Sequence, residues 1–217
     1  MVKTFIANIQ NLPDPKENYK ILENIWQERK EKILSYKFEN GRKESLGSAL
    51  MLQKVLSQKN LNPQNIKYGK NGKPEIEGLH FNISHAENFV ICSVSENPVG
   101  CDIEKIRSIK SGFEKRFFTQ NEVSYLDKFS GDEKLIQFCR LWTMKESYMK
   151  FTGEGMKLAL NRFEFIIEDS VKVFRDGSLT SCFIKEYEIL DYCISICSEE
   201  NDFASNLEFV EVINMEC

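Results

Sequence analysis

The sequence predicts an α+β protein assembled from two similar halves, a pseudo-dimer within one chain. Three observations carry the expectation. The 217 residues suffice for two units of about 100 residues each. Lys43-Glu44-Ser45 recurs as Lys145-Glu146-Ser147, 102 residues later, each time inside helical text. Ile91-Cys92-Ser93-Val94-Ser95-Glu96 is answered 103 residues on by Ile194-Ser195-Ile196-Cys197-Ser198-Glu199, each time closing a strand. Two matches at nearly one offset, on matching element types, favour halves at 1–100 and 101–217 over a single irregular domain.

The elements follow in order. Residues 2–9 form a strand, and 17–36 and 41–58 form helices, with apolar residues every three or four positions and Asn40-Gly41 turning the chain between them. Strands follow at 80–84, 88–95 and 99–104. The second half opens on Thr119-Gln120-Asn121-Glu122, a capping-box pattern whose hydroxyl and carboxylate satisfy free backbone donors at a helix start. A long helix spans 132–151 and is stopped by Gly153 and Gly155. Strands at 163–168 and 171–174 lead through the Asp176-Gly177 turn to strands at 179–189, 191–197 and 207–213.

Composition narrows the function. Of the residues, 41% are hydrophobic and 29% charged, which suits a folded core. No apolar run approaches the roughly 20 residues needed to cross a bilayer, and the start lacks a signal-peptide pattern. The expectation is a cytoplasmic protein without membrane attachment. The net charge of −4 argues against nucleic-acid binding, leaving a local basic stretch at Glu28-Arg29-Lys30-Glu31-Lys32 and on through Lys37, Arg42 and Lys43. Seven cysteines, odd in number and without a CxxC pair, read as reduced and buried.

Three elements could carry chemistry. In Asp102-Ile103-Glu104 the acids are two residues apart, so on a strand both side chains leave one face while Cys101 and Ile103 take the other. Two carboxylates in one volume either repel across a solvated strand edge or gather a divalent cation through hard oxygen ligands. On the long helix Trp142, Glu146 and Lys150 share a stripe; the acid and base could form a surface ion pair, yet the helix is apolar nearly all round and an acid there needs a partner. Gly72-Lys73-Pro74 reads as a turn, and Phe81-Asn82-Ile83-Ser84-His85 as a strand ending in two side chains able to bind phosphate oxygens.

Together and in this order these elements resemble the 4′-phosphopantetheinyl transferases of the surfactin-synthetase-activating type. The matching text is GKP at 72–74, FNISH at 81–85, VGCDIE at 99–104, RFFTQNE at 116–122 and LWTMKESYMK at 141–150. The resemblance implies a pseudo-dimer of α+β halves with coenzyme A in the cleft between them. It implies that Asp102, Glu104 and Glu146 hold Mg²⁺, that Lys150 contacts the pyrophosphate, and that Ser84 and His85 hold phosphate groups including the 3′-phosphate. Lys73 and Pro74 would lie beside the adenine. A basic residue of the first half would reach the 3′-phosphate, with Arg42 and Lys43 as the leading candidates and Arg29 and Lys32 behind them.

The implied reaction is attack by a serine hydroxyl of an apo acyl or peptidyl carrier protein on the pantetheine-side phosphorus, releasing 3′,5′-ADP. Glu146 or a metal-bound water would take the proton. Glu122 matches a position that can assist the base, although its capping-box spacing already gives it a structural task. Arg116, Phe117 and Phe118 are the expected docking patch for an acidic carrier. A monomer is expected, because one chain supplies both walls of the cleft. The rival readings are an Mg²⁺-dependent nucleotide phosphohydrolase and a non-catalytic module that binds coenzyme A or a carrier protein.

Overall fold

A computed structural model describes residues 1–108 and 112–212, with the side chain of Met156 left aside. The chain opens with β1 (Lys3–Asn8), followed by α1 (Gln27–Ser35) and α2 (Glu39–Ser57). A short ribbon of β2 (Lys67–Tyr68) and β3 (Pro74–Glu75) precedes the hairpin of β4 (His80–Ala86) and β5 (Phe89–Ser95). Next come β6 (Val99–Lys105), α3 (Phe113–Phe117), α4 (Gln120–Leu126) and the long α5 (Gly131–Thr152). A second ribbon, β7 (Phe163–Ile167), β8 (Val171–Arg175) and β9 (Ser178–Leu179), leads into the hairpin of β10 (Phe183–Ile189) and β11 (Tyr192–Ser198), and β12 (Glu208–Phe209) is the last strand among the described residues.

The two halves repeat one plan. In the first, β5 lies between β1 and β4; in the second, β11 lies between β6 and β10; all four pairings are antiparallel. Each half lays one long helix on its sheet, α2 or α5, and these helices carry the two Lys-Glu-Ser tripeptides. The hairpins match as well. Ala86 pairs with Phe89 and Ile189 with Tyr192, so each loop has two residues, and the first of each, Glu87 or Leu190, is left-handed at φ 46° or 52°.

Three apolar clusters follow from this plan. One fills the space between α2 and the first sheet, around Phe5, Leu46, Leu52 and Val90. Another packs α4 and α5 against the second ribbon, around Leu126, Leu141, Tyr148 and Phe163. The third joins the halves: Ile6, Phe89 and Ile91 of the first meet Cys101, Ile103, Tyr192 and Ile194 of the second. The alternation along β6 decides what faces where. Cys101 and Ile103 enter the shared cluster, which leaves Asp102 and Glu104 on the side of α5.

Gly100 brings α5 close to that strand. A Cβ there would come within 2.1 Å of the Ser147 carbonyl oxygen and 2.3 Å of the Phe151 nitrogen, so only glycine lets the helix lie against the strand. Gly153, left-handed at φ 70°, then ends the helix.

Several expectations need correction. Asn40 and Gly41 lie within the first turn of α2, because the chain enters the helix from an extended Phe38 and Gly41 packs against the ring of Tyr36. The expected helix over 17–36 is broken: a single 3-10 turn at Tyr19–Leu22 precedes α1, and the bend between them buries Ile25 and leaves Trp26 extended. The expected strand over 207–213 shortens to Glu208–Phe209, with Ile213 and Cys217 outside the described residues. That strand crosses back to pair in parallel with β1, so 202–212 run along the sheet of the first half.

Candidate active site at the junction of the halves

A cavity of about 510 Å³ opens where α1, α2, the first ribbon and β4 face β6 and α5. Its size lies within the usual range for a small-molecule site. The structure brings Pro74, Ser84, His85, Asp102, Glu104, Glu146 and Lys150 to its wall. These come from the ribbon, β4, β6 and α5, so side chains far apart in sequence converge because the two sheets join there.

Asp102 is the hub. Its Oδ1 accepts hydrogen bonds from Lys150 Nζ at 2.6 Å and Ser84 Oγ at 2.8 Å, and Lys150 also donates to Ser84 Oγ at 2.9 Å. Its Oδ2 is buried and has no hydrogen-bond partner. Burial raises the Asp102 carboxyl despite the opposing pull of Lys150. For Lys150, burial works against the charge, but Asp102, Cys101 and Glu146 outweigh it and the ammonium is held above its ordinary value.

Glu104 and Glu146 face the same volume. Glu104 Oε1 accepts from Trp142 Nε1 at 3.3 Å, and its carboxyl is raised by burial and by Asp102. Burial, followed by the charges of Asp102 and Glu104, pushes Glu146 up to about 7. Three carboxyl groups thus line one cavity with the Lys150 ammonium among them.

Across the cavity the balance reverses. Arg29 and Lys32 of α1 line the wall, and burial lowers the pKa of both. Arg29 Nη2 donates to the Ser45 carbonyl oxygen at 3.0 Å, while its Nε is buried without a partner. Burial and the neighbouring Lys150, Arg29 and Lys32 hold His85 down at about 4, so near neutrality it is an uncharged ring. Its Nδ1 lies 3.5 Å from Glu44 Oε2.

Other expected site residues stand elsewhere. Arg42 is buried against Asp14: its Nε donates to Asp14 Oδ1 at 2.8 Å, its Nη2 bonds Asp14 Oδ2, and its Nη1 donates to the carbonyls of Tyr36 and Lys37 at 3.0 and 2.8 Å. Those bonds leave the guanidinium little to offer a ligand. Lys43 pairs with Glu39 at 3.3 Å one helical turn away. Neither is among the cavity's lining residues.

Glu122 is also absent from that wall. It is fully buried in an ion pair with Lys145 at 2.8 Å, completes the capping box of α4, and accepts from the Phe165 nitrogen at 3.0 Å. Lys73 is not among the lining residues and donates to the backbone carbonyls of Val99 in β6 and Lys150 in α5. In the expected docking patch Arg116 is exposed and lies over the Phe117 ring at 5.2 Å, but Phe118 belongs to the core.

Sequence reasoning missed the aromatic part of the wall, Trp26, Tyr36 and Tyr68. A signal was available for Trp26: it precedes Arg29 and Lys32 at three-residue spacing, which stacks all three on one side of α1.

Comparison with known proteins agrees with this layout. Residues 98–197 match the family model of the 4′-phosphopantetheinyl transferase superfamily, and residues 12–97 match the model described as 4′-phosphopantetheinyl transferase, N-terminal. The chain is 33% identical over 210 residues to the 4′-phosphopantetheinyl transferase ffp of Bacillus subtilis, covering 90% of this chain and 91% of the relative. The 4′-phosphopantetheinyl transferase Sfp of Bacillus subtilis (strain 168) matches to the same extent, 33% over 210 residues and 90% and 91% of the two chains. The 4′-phosphopantetheinyl transferase gsp of Aneurinibacillus migulanus is 31% identical over 205 residues, covering 91% of this chain and 86% of the relative. The likeness runs through both halves and across both walls of the cavity, and the chain belongs to the 4′-phosphopantetheinyl transferase superfamily.

Proposed function

We propose that the protein transfers the 4′-phosphopantetheine arm of coenzyme A to a serine hydroxyl of an apo acyl or peptidyl carrier protein, releasing 3′,5′-ADP, in a reaction that needs Mg²⁺. The observation that carries this reading is the convergence of Ser84, Asp102, Glu104, Glu146 and Lys150 opposite His85, Arg29 and Lys32 in one cavity. One wall suits a cation shared with a pyrophosphate and the other suits a phosphate monoester. The reading takes residues 1–100 and 101–217 as the two halves, with 202–212 as a strap on the first.

The donor set fits the cation. Asp102 Oδ2 is a buried oxygen without a partner, and Glu104 and Glu146 are raised by burial and by the neighbouring carboxylates. Among the described residues no group of three or more His, Cys, Asp or Glu side chains is arranged to hold a metal ion by itself. Such a site accords with Mg²⁺, which takes one or two carboxylates and completes its shell with water and substrate phosphate oxygens. Asp102, Glu104 and Glu146 are the residues assigned to hold it. When bound, the ion offsets charge on the phosphate oxygens and on the departing group.

The protein's own groups do the rest. Lys150, fixed by Asp102 and Ser84, places a positive charge beside the pyrophosphate. Arg29 and Lys32, rather than Arg42 or Lys43, receive the 3′-phosphate together with His85, because they stand on the wall with donors free. The serine hydroxyl attacks the pantetheine-side phosphorus; the new P–O bond forms as the anhydride bond breaks. Glu146, or a water next to it, takes the hydroxyl proton, and 3′,5′-ADP leaves with the bridging oxygen.

The test is incubation with coenzyme A, Mg²⁺ and several apo-carrier proteins, followed by mass spectrometry of the carriers. One added phosphopantetheine, lost with EDTA and restored by Mg²⁺, is expected. No gain on any carrier would overturn the reading.

A further inference from the structure

The ribbon β2–β3 is held by only two paired positions, Lys67 with Glu75 and Tyr68 with Pro74, and it forms a sheet of its own. So short a ladder is not stable alone in water. It nevertheless supplies Tyr68, Gly72 and Pro74 to the wall of the cavity. Something outside the ribbon must fix it.

Ile66 and Ile76 at the ribbon's ends pack against the first-half core, and its side-chain hydrogen bonds reach the opposite half. Lys73 Nζ donates to the carbonyl oxygen of Lys150 at 2.6 Å and to that of Val99 at 3.1 Å. Asn71 Nδ2 donates to the Gly153 carbonyl at 2.8 Å, and its Oδ1 accepts from Lys157 Nζ at 2.8 Å. Lys150 and Gly153 stand at the C-terminal end of α5, where carbonyls lack helical partners and the helix dipole favours a cation. Lys73 therefore satisfies one orphan acceptor of the helix end, the Lys150 carbonyl, with a charge of the favourable sign. It does so on the residue whose ammonium meets Asp102 inside the cavity.

We propose that Lys73 is a positioning residue that clamps the ribbon wall of the cleft to the end of α5, setting the span between the Tyr68–Pro74 wall and Lys150 without touching phosphate. The proposal rests on the transferase reading for its ligand, coenzyme A. Both donor contacts of Lys73 go to backbone across the junction, so its ammonium is committed to holding the two walls together. A ligand that needs both walls loses affinity when the clamp is cut, whatever charge it carries at the 3′ position.

The experiment compares Lys73→Met, Lys73→Arg and Asn71→Ala with wild type, by calorimetry with coenzyme A and with 3′-dephospho-coenzyme A, and by transfer kinetics. Lys73→Met is expected to raise Kd and KM about tenfold for both ligands, as follows from losing a charge-assisted bond. Its kcat at saturation should stay within about threefold of wild type, since KM carries a loss of uniform binding. Lys73→Arg should recover most of the affinity, and Asn71→Ala should weaken both ligands equally but less. A loss confined to coenzyme A would make Lys73 a phosphate contact and overturn the proposal, as would unchanged affinity for both. Should Lys73→Met fail to fold, Asn71→Ala at its exposed position decides by the same comparison. Wild type that binds coenzyme A but modifies no carrier refutes the transferase reading while the binding arm still judges the clamp.

Discussion

The rings of Phe89 and Tyr192 meet edge to face with centroids 5.1 Å apart, and each is the first residue after the two-residue loop of its half's hairpin. They are equivalent positions in the repeat, packed against each other as equivalent residues pack across the two-fold axis of a homodimer. The junction is thus built like a dimer interface whose subunits share one chain.

Replacing Phe89 by Ala should cost about 3–5 kcal/mol, the usual loss for a buried aromatic. Urea unfolding of both single variants and the double variant should give a coupling of about 0.5–1.5 kcal/mol, the value of an aromatic pair beyond its burial. Additive losses would show that the rings do not act together.

Glu122 and Lys145 form an ion pair with neither side chain exposed. Lys145 Nζ also donates to the carbonyls of Leu160 and Phe163, at 2.7 and 2.8 Å. Removing one partner strands the other charge, and Glu122→Ala should lose about 3–5 kcal/mol. The folded fraction should keep kcat within a few-fold of wild type, because the pair lies off the cavity wall. A hundredfold fall in kcat with stability preserved would return Glu122 to catalysis.

Gly100→Ala should be among the more damaging small substitutions. Its methyl group would meet helix backbone and not a flexible side chain. A loss of about 3 kcal/mol is expected, at the upper end for overpacking, and thermal unfolding with the transfer assay would show stability and rate falling together.

Asp102→Asn should lower kcat for transfer at least about a hundredfold, the scale of losing a key electrostatic group in an active site. The circular dichroism spectrum should stay that of wild type. Near-normal turnover would remove Asp102 from the site.

Acid stability should report on Asp14. Its bond to Arg42, opposed by burial, holds the carboxyl at about 2, below its ordinary value of 3.8. A folded-state pKa below the unfolded one gives stability that is complete above the unfolded value and disappears as pH falls through the folded one. Urea midpoints of wild type should therefore drop between about pH 4 and pH 2, and Asp14→Asn should flatten that part of the curve.

Much of the fold was legible because local text and tertiary burial agree. The strand ends at 91–96 and 194–199, the capping box at Thr119 and the helix stop at Gly153 all lie where their patterns place them. Asn40-Gly41 misled because a turn dipeptide is tolerated in a first helical turn when packing, here on Tyr36, fixes the chain. At the site, the Asp102 and Glu104 alternation was readable from strand geometry alone. Arg42 was not: its partner Asp14 lies 28 residues away, and sequence shows a charge without showing what neutralises it. The contacts of Lys73 were equally unreadable, since its acceptors are main-chain carbonyls that no motif displays.

The pairing of β12 with β1 bears on the order of assembly during synthesis. The first strand leaves the ribosome well before its parallel partner, so the outer edge of its sheet waits for Phe203, Glu208 and Phe209, just over 200 residues later. Until then β1 presents unpaired amides and carbonyls, the kind of edge that recruits strands from other nascent chains. A strand made early is sealed late.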